Sequence, residues 1–442
     1  MASSYMTFTP SGAGTSHRTG TISAWLKRAD VSSSQRFWGV RYDASHTCEV
    51  TFNEYIQIFA NYGGSTQINL RTTAKYQDPA AWYHVVVAID TEQSVEADRV
   101  KLYVNGVQNS TFSTYTTYPA EDANLLIGHG YPTSVGAMGA EGSNMWNGCI
   151  SWAQYVDGLQ LAPTEFGETD STSGIWKIKT DVYGTPGING FCLKMEDRTN
   201  LDLDSSSNAH TFTTVGTPTA TYDSPSNNFA TLNPLDGNIS NSGGLLNGNT
   251  NYNKTSTGSG YNTTCLSTLG VSAGKWYWEC KATDVVTSDC VLGFMSTGHG
   301  PYDSHYQLFN LSTTPNAYGY RNNGTKYVGN VQTTSFFNTF VDGDIISFAM
   351  DLDNGKCYAA KNGTWENSGD PTSGATGTGS FADITDLTQF YVPAVSNYNY
   401  TDATKVDFNY GNGYFGTTAV SSAEADDAGI GAMEYDVPAG YY

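Results

Sequence analysis

The chain has 442 residues, and its 42 Asp and Glu residues outnumber its 21 Lys and Arg residues to give a net charge of −21. This acidic balance argues against binding to the phosphate backbone of nucleic acids and against docking on anionic lipid, because both need a basic surface. Aromatic residues make up 13% of the sequence, which supplies apolar surface for packed cores and argues against a disordered chain.

The first half of the chain shows strand periodicity. Residues 82–89 (WYHVVVAI) are almost continuously apolar, which is typical of a central strand covered on both faces. Residues 100–104 (VKLYV) alternate between apolar and polar, which predicts a strand with one buried face, and Asn105-Gly106 predicts a hairpin turn after it. A short helical turn is predicted over residues 163–166, because a proline fits the start of a helix.

The second half repeats the pattern. Residues 345–352 (IISFAMDL) alternate, with Ile346, Phe348, Met350 and Leu352 on the predicted buried face. Eleven Asn-Gly and Asp-Gly dipeptides punctuate the whole chain, and such dipeptides supply the positive φ angles of tight hairpins. These patterns predict an all-β protein with antiparallel β-sandwich domains in tandem.

Changes in composition mark the predicted domain boundaries. We expect a first domain over residues 1–222 and a second over residues 261–420. Residues 223–260 are rich in Ser, Asn and Gly, and they are interpreted as a linker or as an arm packed along the sandwiches. In a third interpretation, the first strands of the second domain begin near residue 226. Residues 421–442 are expected to form an acidic C-terminal tail.

The seven cysteines are odd in number and include no CxxC pair, so we expect buried free thiols and assembly in a reducing compartment. Residues 1–10 have no basic segment followed by an apolar run, so no secretory signal is expected. No apolar run approaches ~18 residues, so no membrane insertion is expected either. No cofactor is expected, although a structural calcium ion is considered below.

Five segments of the first half carry a family resemblance. They are residues 20–28 (GTISAWLKR), 82–87 (WYHVVV), 100–106 (VKLYVNG), 146–151 (WNGCIS) and 157–167 (DGLQLAPTEFG). The set resembles the laminin G-like and pentraxin-like branch of the concanavalin A-like jelly rolls over roughly residues 5–220. This resemblance implies the fold and says little about a ligand. Trp25, Trp82 and His84 lie in strand-like segments, so we expect them in the core rather than at a ligand.

Some members of that fold hydrolyse glycans, and they carry Glu-x-Asp-x-x-Glu on one strand so that alternate carboxylates share a face. The pattern is absent here, and the adjacent carboxylates of Glu196-Asp197 would point to opposite faces. We therefore expect no enzymatic activity. Other members bind calcium through loop carboxylates, for which Asp202 and Asp204 are the weak candidates, with a solvated acidic turn as the alternative.

The second half carries another set of segments: residues 274–281 (GKWYWECK), 291–294 (VLGF), 342–346 (DGDII), 350–358 (MDLDNGKCY), 361–365 (KNGTW) and 391–395 (YVPAV). The set resembles a SPRY domain over about residues 226–415. This resemblance implies an interaction module without catalysis, whose variable loops select the partner.

The loop at residues 296–307 (STGHGPYDSHYQ) is the candidate contact surface of the second domain. Its candidate ligand-binding residues are His299, Tyr302, His305 and Tyr306, because aromatic and polar side chains together suit sugar or protein recognition. The alternative is an ordinary polar loop folded over the sandwich. No ligand spacing supports a metal site at His299, Asp303 and His305.

The tandem, with residues 222–229 (YDSPSNNF) between its halves and residues 435–440 (YDVPAG) near its end, resembles structural proteins encoded by tailed bacteriophages. This resemblance implies synthesis in the host cytoplasm and a place on the external surface of the virion. It also implies a homo-oligomer, with a trimer favoured, and other virion proteins and a host-surface glycan or receptor as partners.

Three functions compete. The first is a tail fibre, tail-associated protein or head appendage that binds carbohydrate or another host-surface receptor. The second is a purely architectural virion protein, such as a capsid decoration or a tail or collar component. The third, a glycan-hydrolysing enzyme, is disfavoured by the missing carboxylate motif.

Overall fold

The computed structural model describes residues 4–113, 116–139, 142, 144–237, 243–255, 263–285, 289–297, 308, 316–329, 331–397 and 402–442. The chain divides into two compact units, which are Met1–Ala220 with Ser224–Ser226, and Thr221–Asp223 with Asn227–Tyr442. Strands hold 45% of the residues and helices 4%, which confirms the predicted all-β class. Among the described residues, no helix has the length and apolar character that crossing a bilayer requires.

The strands of the first unit are β1 (Tyr5–Phe8), β2 (Thr19–Arg28), β3 (Gln35–Asp43), β4 (His46–Phe52), β5 (Ile56–Tyr62), β6 (Ser65–Arg71), β7 (Trp82–Asp90), β8 (Val100–Val104), β9 (Val107–Asn109), β10 (Thr133–Val135), β11 (Gly148–Asp157), β12 (Gly167–Thr169), β13 (Trp176–Ile178), β14 (Phe191–Leu193) and β15 (Thr213–Val215). Short 3-10 helices lie at Glu96–Asp98 and Pro163–Glu165. The second of these confirms the helical turn predicted from its proline.

Two antiparallel sheets form the sandwich of the first unit. Their strand orders are β15-β1-β10-β3-β4-β5-β6 and β14-β11-β2-β7-β8-β9. Alternate residues point inward and meet in one core, where β2 contributes Ile22 and Leu26 and β4 contributes Val50 and Phe52. The predicted strand at residues 100–104 is β8, and its alternating burial confirms the pattern.

The sheet that contains β2, β7 and β11 is also covered on its outer face. The hairpin of β12 and β13 places Trp176 there, and its indole Nε1 donates to His84 Nδ1 at 3.0 Å. Trp25 and Trp82 are buried in the same layer. Residues 82–89 are therefore buried on both faces of β7, as predicted, and Trp25, Trp82 and His84 are core residues.

The strands of the second unit are β16 (Leu232–Gly237), β17 (Gly243–Leu246), β18 (Asn251–Lys254), β19 (Thr263–Ser267), β20 (Lys275–Asp284), β21 (Cys290–Ser296), β22 (Ala317–Arg321), β23 (Lys326–Val328), β24 (Val331–Thr333), β25 (Ile345–Asp351), β26 (Lys356–Lys361), β27 (Thr364–Trp365), β28 (Ala382–Asp383), β29 (Tyr391–Asn397), β30 (Thr404–Asn409), β31 (Tyr414–Phe415) and β32 (Thr418–Ala419). Short 3-10 helices lie at Glu366–Ser368 and Pro371–Thr376.

The second unit is also a two-sheet sandwich. One sheet has the order β16-β19-β29-β21-β22-β23-β24, and the other has β17-β18-β30-β20-β25-β26-β27 with β28 beside β26. Trp278 lies in the core between them, 5.3 Å from the ring of Phe348 and 5.9 Å from that of Phe294. Large aromatic rings thus fill the space between the sheets, as the strand patterns predict.

The linker interpretation of residues 223–260 does not hold for the strands within that stretch. β16 pairs with β19 and β18 pairs with β30, so both belong to the sheets of the second unit. Their apolar signal is weak because Leu232 and Tyr252 are the main side chains that they bury in the core. Pairing of the backbone with neighbouring strands, rather than hydrophobic periodicity, defines these strands.

Of the acidic tail expected at residues 421–442, residues 432–442 are packed onto the outer face of the eight-stranded sheet, whereas residues 421–431 are largely exposed. Met433 and Tyr441 are buried there against Tyr277 and Tyr358. As a result β25 is buried along its whole length, including Asp351 on the face predicted to be open to solvent. A single exposed face was therefore the wrong expectation for this strand, because a segment distant in sequence covers it.

Candidate functional site

Aromatic side chains from three separate segments meet at one end of the first unit. Tyr42 and His46 flank the turn between β3 and β4, and Tyr62 begins the turn between β5 and β6. These four strands are consecutive antiparallel neighbours, so both turns lie at the same end of the sheet. His129 and Tyr131 come just before β10, which pairs with β3.

The five rings contact one another in a closed circuit, which we call the ring cluster. Tyr131 stacks on Tyr42 with ring centroids 4.5 Å apart and on His129 at 5.8 Å. His46 makes edge contacts with Tyr42 at 5.7 Å and with Tyr62 at 5.4 Å. Tyr62 and His129, 5.8 Å apart, close the circuit. Ring pairs at these separations attract one another, so the cluster is preorganised.

One side of the ring cluster packs against the core of the unit, and the other side is accessible to solvent. Tyr62 and Tyr131 are half-buried and pack against the core of the unit. Tyr42 is 59% exposed, so one face of the cluster is open to solvent. The cluster therefore offers an aromatic surface to solvent without depending on a flexible loop for its support.

His17 extends the cluster by stacking on His129 with ring centroids 3.6 Å apart. The segment before His17 is held by the buried carboxylate of Asp157, which accepts the main-chain N–H of Thr15 at 2.6 Å and of Asn189 at 3.1 Å. These bonds fix the position of His17 relative to the sandwich.

Gly128 allows the two loops that carry His17 and His129 to approach each other. Its φ is +68°, and a Cβ atom built on it would lie 1.9 Å from the carbonyl oxygen of Ser16. The carbonyl of Gly128 accepts the N–H of Gly14 at 2.6 Å. Only glycine fits at position 128, because any other side chain would be strained at this positive φ and would clash with the carbonyl of Ser16.

The charges at the cluster are set by hydrogen bonding and burial. His46 Nδ1 lies 2.9 Å from the Asp43 carboxylate, and this hydrogen bond lowers the pKa of Asp43. Burial lowers the pKa of His129, and the nearby imidazoles of His17 and His46 lower it further. At neutral pH the site therefore combines an ionised Asp43 with a neutral His129.

A row of polar side chains crosses the sheet next to the ring cluster. The Cα pairs are Arg41 with Thr47, Thr47 with Asn61, and Asn61 with Thr66. Arg41, Thr47 and Asn61 are the immediate chain neighbours of the rings at 42, 46 and 62. Thr66 Oγ1 donates to Asn61 Oδ1 at 3.0 Å, which orients that amide. Adjacent residues of a strand point to opposite faces, so Thr47 and Asn61 lie on the face of the sheet opposite to the rings of His46 and Tyr62.

His299, Tyr302, His305 and Tyr306, with the rest of residues 298–307, lie outside the described residues. The binding role assigned to this loop stays a prediction.

Asp202 and Asp204 belong to two separate sets of hydrogen bonds. The Asp204 carboxylate accepts the main-chain N–H groups of Cys192 at 2.9 Å and His210 at 2.8 Å, and it is buried. Asp202 accepts the hydroxyl of Thr214 at 2.7 Å. Among the described residues, no group of three or more His, Cys, Asp or Glu side chains is placed to hold a metal ion.

The ring cluster was not predicted from the sequence. A local signal exists, because its rings lie beside turn residues in 42–46 (YDASH), 62–64 (YGG) and 128–131 (GHGY). Each segment alone reads as an ordinary turn. Their convergence depends on strand pairing across the sheet, which none of the three segments encodes by itself.

Comparison with known proteins bears on the fold. Residues 1–158 match a family described as the concanavalin A-like lectin/glucanases superfamily, of the laminin G type. No curated protein sequence matches the chain. Among solved structures, the SPRY domain of human HERC1 is 18% identical, with a TM-score of 0.30, over 40% of this chain and 96% of that one. A second human SPRY domain is 16% identical, with a TM-score of 0.26, over 36% of this chain and 90% of that one.

Stonustoxin is 14% identical, with a TM-score of 0.29, over 41% of this chain and 27% of that one. These likenesses concern fold alone and carry no argument about a ligand. The sheets described above and the family match over residues 1–158 fit β-sandwiches in tandem, the first of them concanavalin A-like.

Proposed function

We propose that the protein is a carbohydrate-binding protein that contacts glycan through the ring cluster of its first unit. The observation that carries the proposal is the closed circuit of five rings, with Tyr42 59% exposed at its front. A lectin-like sandwich is consistent with binding of carbohydrate or protein, and the ring cluster favours carbohydrate.

The chemistry of sugars supports this assignment. A pyranose ring has an apolar face of C–H groups that packs on an aromatic ring, and a rim of hydroxyls that need hydrogen-bond partners. The ring cluster supplies the aromatic faces. The hydroxyls of the tyrosines and the ring nitrogens of the histidines in the same cluster supply donors and acceptors. The ionised Asp43 adds a strong acceptor for hydroxyl groups.

We propose that binding is not followed by hydrolysis. Glycosidases place two carboxyl groups on either side of the scissile bond, about 5–10 Å apart. The sequence lacks the Glu-x-Asp-x-x-Glu pattern, and in the ring cluster the carboxylate of Asp43 is paired with His46 instead of a second carboxyl group. The protein is accordingly assigned a binding role.

We also propose a place for the protein, from the resemblance to structural proteins of tailed phages. It would lie on the external surface of a phage particle as a homo-oligomer, with a trimer favoured, beside other virion proteins. Many copies on one particle would convert a weak sugar site into firm attachment to a host surface. The high negative charge would limit non-specific association between particles.

Binding of the full chain to a glycan array, in a multivalent format, tests the carbohydrate proposal. Replacing Tyr42 with alanine should weaken binding about fivefold, because one lost stacking contact is worth on the order of 1 kcal/mol. Phe390→Ala is the matched control, since Phe390 is a 54% exposed aromatic residue of the second unit. If the unaltered chain binds no glycan at high valency, the proposal is wrong and the architectural role is favoured.

A further inference from the structure

Residues 432–442, which we call the strap, cover the outer face of the eight-stranded sheet in the second unit. Ala432, Met433 and Tyr441 are buried, with relative exposures of 0%, 3% and 0%. By contrast, the chain just before the strap, residues 417–431, is largely exposed. The strap is therefore a tightly bound segment joined to the sandwich by a loosely packed connection.

The sheet recognises the main chain of the strap through a buried carboxylate. Glu279 on β20 is 0% exposed, and it accepts the main-chain N–H groups of Glu434 at 2.8 Å and Tyr435 at 2.9 Å. Tyr277 Oη and Asn409 Nδ2 donate to the same carboxylate at 3.0 and 3.2 Å. Half of the donors that satisfy this buried charge thus come from the strap, which makes the contact specific and costly to lose.

The strap also completes an open strand edge. β20 pairs with β25 from Lys275 onward, but its pairing with β30 begins only at Glu279. On the open side, Tyr442 donates its N–H to the carbonyl of Lys275 at 3.0 Å and accepts the N–H of Tyr277 at 2.8 Å. Such main-chain pairing at an open edge is a general mode of peptide recognition.

A side-chain pocket adds an anchor. The ring of Tyr441 fills a space between Tyr277, Ala349 and Tyr358, and its hydroxyl donates to the carbonyl of Pro371 at 3.0 Å. A fully buried tyrosine with a satisfied hydroxyl is the kind of residue that dominates the energy of an interface. The face of the sheet therefore has the parts of a peptide-binding site. They are a buried carboxylate that accepts main-chain N–H groups, an open strand edge and an aromatic pocket.

The connection makes its hydrogen bonds both within itself and to the strap, as where the N–H of Glu424 donates to the carbonyl of Met433 at 2.9 Å. The Asp426 carboxylate accepts the N–H groups of Ala428 and Ile430 at 3.0 and 2.8 Å, and the Gly429 N–H donates to the Asp426 carbonyl at 2.9 Å. An exposed connection that is bonded to the strap can extend away from the sandwich together with the strap, without exposing side chains of the core between the sheets. Exchange of an identical element between copies then costs little, because each contact is remade in the partner.

We propose that this face is the docking site for the strap of a second copy of the chain, so that copies are linked by exchange of residues 432–442. The inference goes beyond glycan binding and is independent of it. A net charge of −21 opposes contact between broad faces of two copies, whereas an exchanged strap concentrates attraction in one small, buried site.

Light scattering of the full chain over a range of concentrations, with and without a synthetic peptide of residues 430–442, tests the proposal. We expect oligomers that grow with concentration and that dissociate to monomers when the peptide is in excess, because the peptide fills the same site. The matched control is the same peptide with Tyr441→Ala, which should be at least about tenfold less effective because it lacks the anchor.

A second measurement uses the chain with Tyr441→Ala, whose fold is checked by circular dichroism. It should lose the oligomers and bind the labelled unaltered peptide. A full chain that stays monomeric at all concentrations, or oligomers that the peptide leaves intact, would overturn the proposal. Glycan binding by the monomer distinguishes this failure from failure of the proposed function.

Discussion

His84 lies at the centre of a stack of aromatic rings on the outer side of the first unit. Its imidazole is 4.7 Å from the ring of Trp25 and 6.0 Å from that of Trp176, centroid to centroid. Nδ1 accepts the Trp176 indole N–H, so Nε2 carries the proton toward Ser23 Oγ, 2.9 Å away. One neutral tautomer satisfies both contacts, which explains how a histidine is tolerated in a fully buried strand.

The burial of His84 predicts sensitivity to acid. Burial lowers the pKa of His84 from its ordinary value of 6.5 to about 3. Between these values the unfolded chain binds a proton that the folded chain does not, so the free energy of unfolding falls as the pH drops from about 6.5 toward about 3. The loss approaches about 1.4 kcal/mol per pH unit.

Urea unfolding of the full chain between about pH 7 and about pH 4 measures this dependence. We expect His84→Gln to flatten the pH dependence of the first unit, although the variant is less stable at neutral pH. Parallel stability curves for the variant and the unaltered chain would contradict the assignment of the acid sensitivity to His84.

At the scale of elements, short loops of the first unit are stabilised by single buried carboxylates. Asp157 holds the segment before His17, and Asp204 ties β14 to the loop at residues 204–210. Each carboxylate accepts several main-chain N–H groups. These bonds replace the main-chain hydrogen bonds that regular secondary structure would otherwise provide in these loops. Acidic residues that suggest a cation site from sequence can therefore serve as structural acceptors.

The two candidate calcium residues should differ in their effect on stability. Asp204→Asn should lower the free energy of unfolding by about 1–3 kcal/mol, because an amide nitrogen would face buried N–H donors. Asp202→Asn is the matched control and should cost less, since Asp202 accepts the hydroxyl of Thr214 in a partly exposed setting. Equal losses, or a large stabilisation by added calcium that Asp202→Asn removes, would contradict this view.

At the scale of the whole molecule, all seven cysteines are free, and six of them are buried. Burial raises the pKa of Cys48, Cys192 and Cys265 to about 12, which suppresses the reactive thiolate form. Cys149 is the half-buried exception. Stability therefore comes from the packed sheets and their turns rather than from covalent crosslinks.

Reaction with a thiol reagent should follow this distribution. In the native chain we expect slow labelling that begins at Cys149, and in denaturant we expect all seven thiols to react. Cys149→Ser should remove the first phase without changing the fold. Rapid labelling of several thiols in the native protein would show that the two cores open far more readily than their packing indicates.

The sequence by itself determined the all-β class and the main strands, because the two relevant signals are local. A period of two in residues 100–104 follows from the pleat of a single strand. Asn105-Gly106 and Asn362-Gly363 adopt the positive φ angles that their composition predicts, and each connects two paired strands. The resemblance of each half to a known fold rested on the same local segments.

Only the tertiary structure decided which faces are covered and which rings converge. β25 lost its expected open face because the strap, far along the chain, packs on it. The ring cluster draws on residues from 42 to 131, and β16 and β18 became strands through pairing with distant partners. The physical reason is that burial and convergence depend on contacts between segments far apart in sequence, whereas strand period and turn chemistry depend on neighbouring residues.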